Sequence, residues 1–265
     1  MKKKICLFLL VAVLTAISGQ AQFKVGARAG FNLSNINFDY PKILSEIPEI
    51  EVSYNYKLLP GFQVGIVGDY SLSEDFSIQS SILFTMMGAK LEHYVKSEIE
   101  EEGFIMKLNT ETKGTLRINY IQVPVNALYK FDVGSIKLLA QAGPYFGYGL
   151  GVNLEYESTS STYIKIGEFE ESSFNQESDN KKYKMGSGKD KYYTAFDFGL
   201  GVGVGAQFGN IQVNLVYNHG FSNMVNKNLT EIEGEPVDDE DRQQIRDLNY
   251  RNRCFAFTLT YLFGK

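Results

Sequence analysis

The sequence predicts an all-β fold, an eight-stranded antiparallel up-and-down barrel, and three observations carry that reading. Eight segments alternate between large apolar residues and small or polar ones, the period-two signature of a strand with two unlike faces. Three of the seven connections are tight turns and four are long and polar. The two kinds take turns along the chain, so a meander gathers every tight turn at one end.

Before the first strand, residues 1–21 read as a signal peptide. Lys2, Lys3 and Lys4 precede a thirteen-residue apolar run, Ile5–Ile17, and Gly19 and Ala21 supply the small residues of a cleavage site. A membrane-spanning helix needs about 20 residues; an uncleaved anchor is the alternative. Cys6 lies inside the run, which argues against a lipidated N-terminal cysteine. Residues 22–265 are read as one domain. Removing the leader takes three lysines from the 26 basic residues, leaving 23 against 31 acidic ones, a formal charge of −8. That disfavours nucleic acid and anionic lipid surfaces as partners. Cys254 is then the single cysteine, so no intrachain disulfide forms.

The first segment, Phe23–Ser34, sets Phe23, Val25, Ala27, Ala29, Phe31 and Leu33 against Lys24, Gly26, Arg28, Gly30 and Asn32. The second, Gly61–Leu72, and the third, Phe76–Met87, repeat the pattern and are joined by Ser73–Asp75. The fourth, Leu116–Phe131, changes parity: Leu116, Ile118 and Tyr120 give way to Val123, Val125, Ala127, Tyr129 and Phe131. One extra residue near Tyr120, a β-bulge, would reconcile the halves. The turn Asp132–Ser135 leads to the fifth, Ile136–Leu150. The sixth, Thr194–Phe208, alternates Phe196, Phe198, Leu200, Val202, Val204, Ala206 and Phe208 with Asp197, four glycines and Gln207. Gly209-Asn210 turns into the seventh, Ile211–Phe221, and the eighth is Phe255–Phe263. The long connections are Asn35–Pro60, Gly88–Thr115, Gly151–Tyr193 and Ser222–Cys254.

Soluble sandwiches have no reason to sort loops by length, whereas outer-membrane barrels do, with short periplasmic turns and long extracellular loops. The segments run 9 to 16 residues, enough to cross a bilayer when tilted. The expected architecture is therefore a transmembrane barrel with apolar rows facing lipid. The glycine row faces a lumen that eight strands leave only wide enough to be filled, giving longer groups from opposite strands room. A soluble lipocalin-like barrel, with its faces reversed, fits the large aromatic rows less well.

The leader ending in Ala21-Gln22, FKVGARAGFNLS at the start, NYIQVPVNALYKF in the middle and the aromatic C-terminal strand together resemble the outer-membrane β-barrel proteins of Bacteroidetes, the porin-family or PorT-like group. The resemblance covers essentially the whole mature chain. It implies insertion by the barrel-assembly machinery, with the strand ending at Phe263 as its recognition signal; Gly264 and Lys265 follow that Phe.

Among inward positions, Lys24 and Asp69 fall near the turn end, while Arg117 and Asp197 fall near the loop end, where they are placed to meet across the lumen. With Arg28 they make either a salt-bridged plug or a solute path. Pro124 and Pro144, nearly opposite each other, each remove a ladder donor, which reads as a local bulge or as a lateral docking site. His93 and His219 are the chain's two histidines. His219 with Ser222 lacks any oxyanion device, so no enzyme, cofactor or metal site is expected. The acidic runs Glu98–Glu102 and Glu231–Asp241 lack EF-hand spacing, and the second can start a short helix. These runs suit solvated loops or divalent-cation bridging to lipopolysaccharide, and the Tyr- and Ser-rich loop Gly151–Tyr193 suits a protein partner. Two functions stay open: a structural or surface-binding barrel acting through its loops, and a transport or secretion role. Replacing Pro124 and Pro144 with Ala restores two donors, and slower amide exchange in strands four and five is the expected result.

Overall fold

A strand leaves half its amides and carbonyls unpaired unless it has neighbours on both sides, and eight strands of this chain meet that need by closing a ring. The computed structural model describes residues 23–39, 50–232 and 235–263; the expected signal peptide lies outside the described residues. The elements are β1 (Phe23–Asp39), β2 (Ile50–Ser71), β3 (Phe76–Glu101), β4 (Phe104–Val133), β5 (Ile136–Ile166), β6 (Phe169–Tyr183), β7 (Phe196–Phe208), β8 (Ile211–Gly220), β9 (Glu231–Ile232), β10 (Glu235–Pro236), α1 (Asp239–Asp247) and β11 (Asn249–Phe263). Around the ring run β1, β2, β3, β4, β5, β7, β8 and β11, all antiparallel. Pairing of β1 with β11, from Val25 opposite Phe263 to Asp39 opposite Asn249, closes it. Two of the tight turns place glycines at positive φ, Gly134 at 65° and Gly209 at 58°, as hairpins of this hand require.

The expected long loops are largely strand. β3 runs on to Glu101 and β4 begins at Phe104, around Gly103 at φ 80°. β5 runs to Ile166 and meets β6 around Gly167 at φ 61°. Their polar residues mask an alternation that continues beyond the ring. The fourth connection holds α1 where the acidic run suggested it, with the Asp238 side chain accepting from Asp241 N at 2.8 Å.

β4 keeps one parity throughout, which corrects the bulge expected within it. Leu116, Ile118 and Tyr120 are buried on the same face as Gln122, Asn126 and Leu128. The irregularity sits on β5: Asn119 faces Gly151 and Tyr120 faces Gly149, leaving Leu150 as the extra residue. Apolar residues on β4 point inward because the loop end of the ring holds an apolar core. Met87, Ile118, Tyr120, Val152, Tyr250 and Cys254 pack there against Tyr193, Met224 and Val225 from the third and fourth connections.

The two prolines interrupt the ladder without a bulge. β4 and β5 pair at Pro124–Tyr145 and resume at Ala127–Ala142 with the register unchanged. The β3–β4 ladder likewise skips between Ser80–Val125 and Leu83–Gln122, and the Ser80 hydroxyl donates to the Pro124 carbonyl at 3.1 Å.

The bare row of β7 lies inside the ring, while Phe196, Val202 and Val204 on its other face are 74%, 54% and 62% exposed. Neighbouring strands, rather than opposite ones, fill the space. A Cβ at Gly199 would sit 2.1 Å from the His219 carbonyl oxygen and 2.6 Å from the Tyr145 ring, and one at Gly203 would lie 3.1 Å from the Gln141 amide nitrogen. Gly199→Val should therefore lower stability by about 2 kcal/mol, read as an earlier urea midpoint by tyrosine fluorescence.

Candidate binding surface

At the turn end the ring interior is a polar network. Arg28 Nε donates to Thr260 Oγ1 at 2.8 Å, and its Nη2 donates to Gln79 Oε1. Gln79 Nε2 then donates to Asp69 Oδ2 at 2.9 Å and to Gln212 Oε1 at 3.1 Å. Lys130 Nζ stands 3.9 Å from Asp69 Oδ1, and the Ser77 hydroxyl donates to Oδ2 at 3.4 Å. A glutamine thus sits between the arginine and the carboxylate. Lys24 is opposite Asp69 in the β1–β2 ladder, yet the carboxylate's ion pair is with Lys130. Composition alone did not single out Gln79; its inward parity with two donors and an acceptor is the signal that could have.

At the loop end, Asp197 does not meet Arg117. Its carboxylate accepts from Tyr145 OH at 3.3 Å, from Asn252 Nδ2 at 2.9 Å and from the Ser222 hydroxyl. Arg117, on the outward parity of the straight β4, pairs with Glu155 at 2.7 Å. The same parity takes Asn119 out of the lumen. Ser222 also accepts from Phe198 N at 3.0 Å, while His219 points outward and shares a hydrogen bond with Tyr217 OH at 3.3 Å. Among the described residues no hydrogen bond joins Ser222 to His219, so that pair does not assemble.

Two asparagines fasten the cap over this end. Asn226 Nδ2 donates to the carbonyls of Gly188 at 2.8 Å and Lys191 at 2.7 Å. Asn223 donates to the Leu248 carbonyl at 2.7 Å and accepts from the amides of Val225 and Tyr250, each at 3.0 Å. Polar network below and apolar core above leave the interior filled.

Beyond the ring, β2, β3, β4, β5 and β6 continue as one projecting sheet. One face is ionic: Lys57–Glu92 at 2.6 Å, Lys113–Glu111 at 2.6 Å, Arg117–Glu155 at 2.7 Å, and Lys107 with Glu98. The hydrogen bond from Arg117 holds the Glu155 carboxyl below its ordinary value, as Lys107 does for Glu98. The other face continues the interior parity with Val52, Val95, Ile99, Met106, Leu108 and Ile164. On this sheet β6 is the last strand, paired along β5 from Val152–Tyr183 to Ile166–Phe169, and among the described residues no further strand pairs with it. Residues 169–180 are exposed and include Glu170, Glu171, Glu177 and Asp179, with Phe174 at 66%.

The family described as "Outer membrane protein beta-barrel domain" matches residues 19–226. No curated protein matches the chain in sequence. Solved structures similar to it include Ail, the attachment invasion locus protein of Yersinia pestis, at 13% identity and TM-score 0.34 over 91% of this chain and 99% of that one. Neisserial surface protein A matches at 15% identity and TM-score 0.30, over 91% of this chain and 97% of that one. The outer membrane protease OmpT of Escherichia coli matches at 12% and 0.29, over 93% and 100%.

Removing the anion from the lumen network leaves Lys130 and Arg28 buried without it. Asp69→Leu should cost about 3 kcal/mol of stability, measured as a shift in the denaturant midpoint of the folded barrel.

Proposed function

Since the chain belongs to the outer membrane protein beta-barrel domain family and is located in the outer membrane, we propose that it is a membrane-spanning, non-enzymatic barrel that displays the β2–β6 sheet outside the cell for surface binding. The exposed apolar belt around the ring, Phe31, Phe62, Ile66, Ile82, Phe146 and Phe257 among its members, is the lipid contact. Tight turns then lie in the periplasm, and the projecting sheet and cap lie outside.

The observation that carries the binding role is the free edge of β6. Over its exposed residues 169–180 the edge strand offers a row of backbone donors and acceptors to an added strand. Proline and bulges, the usual guards of such an edge, are missing from it, and its lysines stand only at its end. The four acids on it favour a cationic extended segment. The filled lumen weighs against solute conduction. An accessory role in protein export, as the PorT-like resemblance implies, would use the same edge on a translocating chain, and loss of secreted proteins on gene deletion is its mark.

Two measurements test this. Heated and unheated electrophoresis of the membrane fraction should show a heat-shifted band; a soluble, heat-insensitive band overturns the membrane reading. In proteoliposomes, an alternating (Lys-Val)6 peptide should bind and (Glu-Val)6 should not. Phe174→Pro and Asn175→Pro, made singly, remove amides of opposite ladder parity. The variant that loses the solvent-side amide should bind about tenfold less. Equal binding by both variants and the parent sinks the edge as the site.

A further inference from the structure

A boundary crosses the outer wall of the ring on β8, β11 and β1. Tyr217, Phe255 and Leu33 form one outward row; the next row toward the loops is His219, Arg253 and Asn35, with Arg253 directly opposite both of the others. Arg251 follows on the same strand face opposite Asn37, about 6.8 Å along from Arg253. Among the described residues neither arginine is in an ion pair. Arg251 Nε has a hydrogen bond to Asn249 Oδ1 at 3.2 Å. From Val25 to Asn37, Ile211 to His219 and Arg251 to Phe263, the outward positions hold no acid. Among the described residues, two cations and a histidine therefore share the edge of an apolar wall whose outward positions on these three strands carry no acid.

Immediately on the turn side of that row the wall is hollow. A groove of 530 Å³ begins at Tyr217 and Phe255, over Ala140 and Ala142. A second, of 730 Å³, continues it over Ala140 and Ala206 to Phe131 and Phe208. The two share Ala140, Val204 and Leu215, so they form one shallow apolar groove along the wall, floored by small side chains, and Arg253 stands one outward position along β11 from Phe255 at its loop-side rim.

We propose that this face is a lipid site in which Arg253 and Arg251, with His219, hold the phosphate of a phosphorylated, multiply acylated lipid while an acyl chain lies in the groove below. Guanidinium groups pair bidentately with phosphate oxygens, and the apolar groove receives only the hydrocarbon part of such a molecule. The inference rests on the reading that the apolar belt faces lipid, and it deepens that reading by assigning a particular lipid class to one sector of the wall.

The test is native mass spectrometry of the full barrel, after its heat-shifted band has been verified in each variant, so that failure to span a membrane is seen separately. The probes are bis-phosphorylated lipid A, the same lipid A without phosphates, phosphatidylethanolamine and inorganic phosphate. Bis-phosphorylated lipid A should be retained at least tenfold better than its dephosphorylated form. The double variant Arg251→Gln/Arg253→Gln should lose that preference while remaining heat-shifted. Ala140→Phe, which fills the groove and leaves the arginines, should also reduce retention. Equal retention by the parent and the double variant, equal retention of phosphatidylethanolamine, or full displacement by inorganic phosphate would each overturn the assignment.

Discussion

The pairing of β1 with β11 is the constraint on which the remainder of the structure depends. Fifteen residue pairs join the first strand to the last and turn a sheet with two open edges into a ring with none. Once the ring closes at eight strands, its interior has a fixed and small cross-section, and every inward side chain must share it. The glycines of β7 are one consequence: Gly199 and Gly203 give up their volume to Tyr145 and Gln141 of β5. The linkage of Arg28, Gln79, Asp69 and Gln212 is another, because charges buried in so narrow a space need hydrogen-bonded partners on several strands.

Closure also explains where the chain is allowed to leave the ring. β5 pairs with β7 as far as Tyr148–Phe196 and with β6 from Val152–Tyr183 onward. The extra residue, Leu150, falls between the two partnerships. A bulge bends and twists its strand, and here it lies where β5 stops serving the barrel and begins serving the projecting sheet. The segments returning from that excursion, around Tyr193, Met224 and Val225, fold into the mouth and bury the apolar faces of β3, β4 and β5. The loop end is therefore an apolar core and the turn end a polar one. This division, not a uniformly polar lumen, fills the barrel.

What the sequence determined by itself was whatever rests on period two and on turn chemistry. The eight ring strands, the tight turns at Gly134 and Gly209, the bare inner row of β7 and the helix behind Asp238 were all legible, because each is set by residues adjacent along the chain. The parity change in β4 was visible too, but alternation records only that a face is apolar, not which side it lies on. Ile36, Tyr193, Met224, Val225 and Tyr250, which share the core with Leu116, Ile118 and Tyr120, come from more than seventy residues away, and they decided that these side chains point inward. Arg117 changed place for the same reason, and with it went the expected contact to Asp197. The partners of Asp197, the hub at Gln79, the hand-off at Leu150 and the free edge of β6 belong to the tertiary structure alone, since ring closure brings distant strands into register and no local pattern encodes which side chains then share the interior.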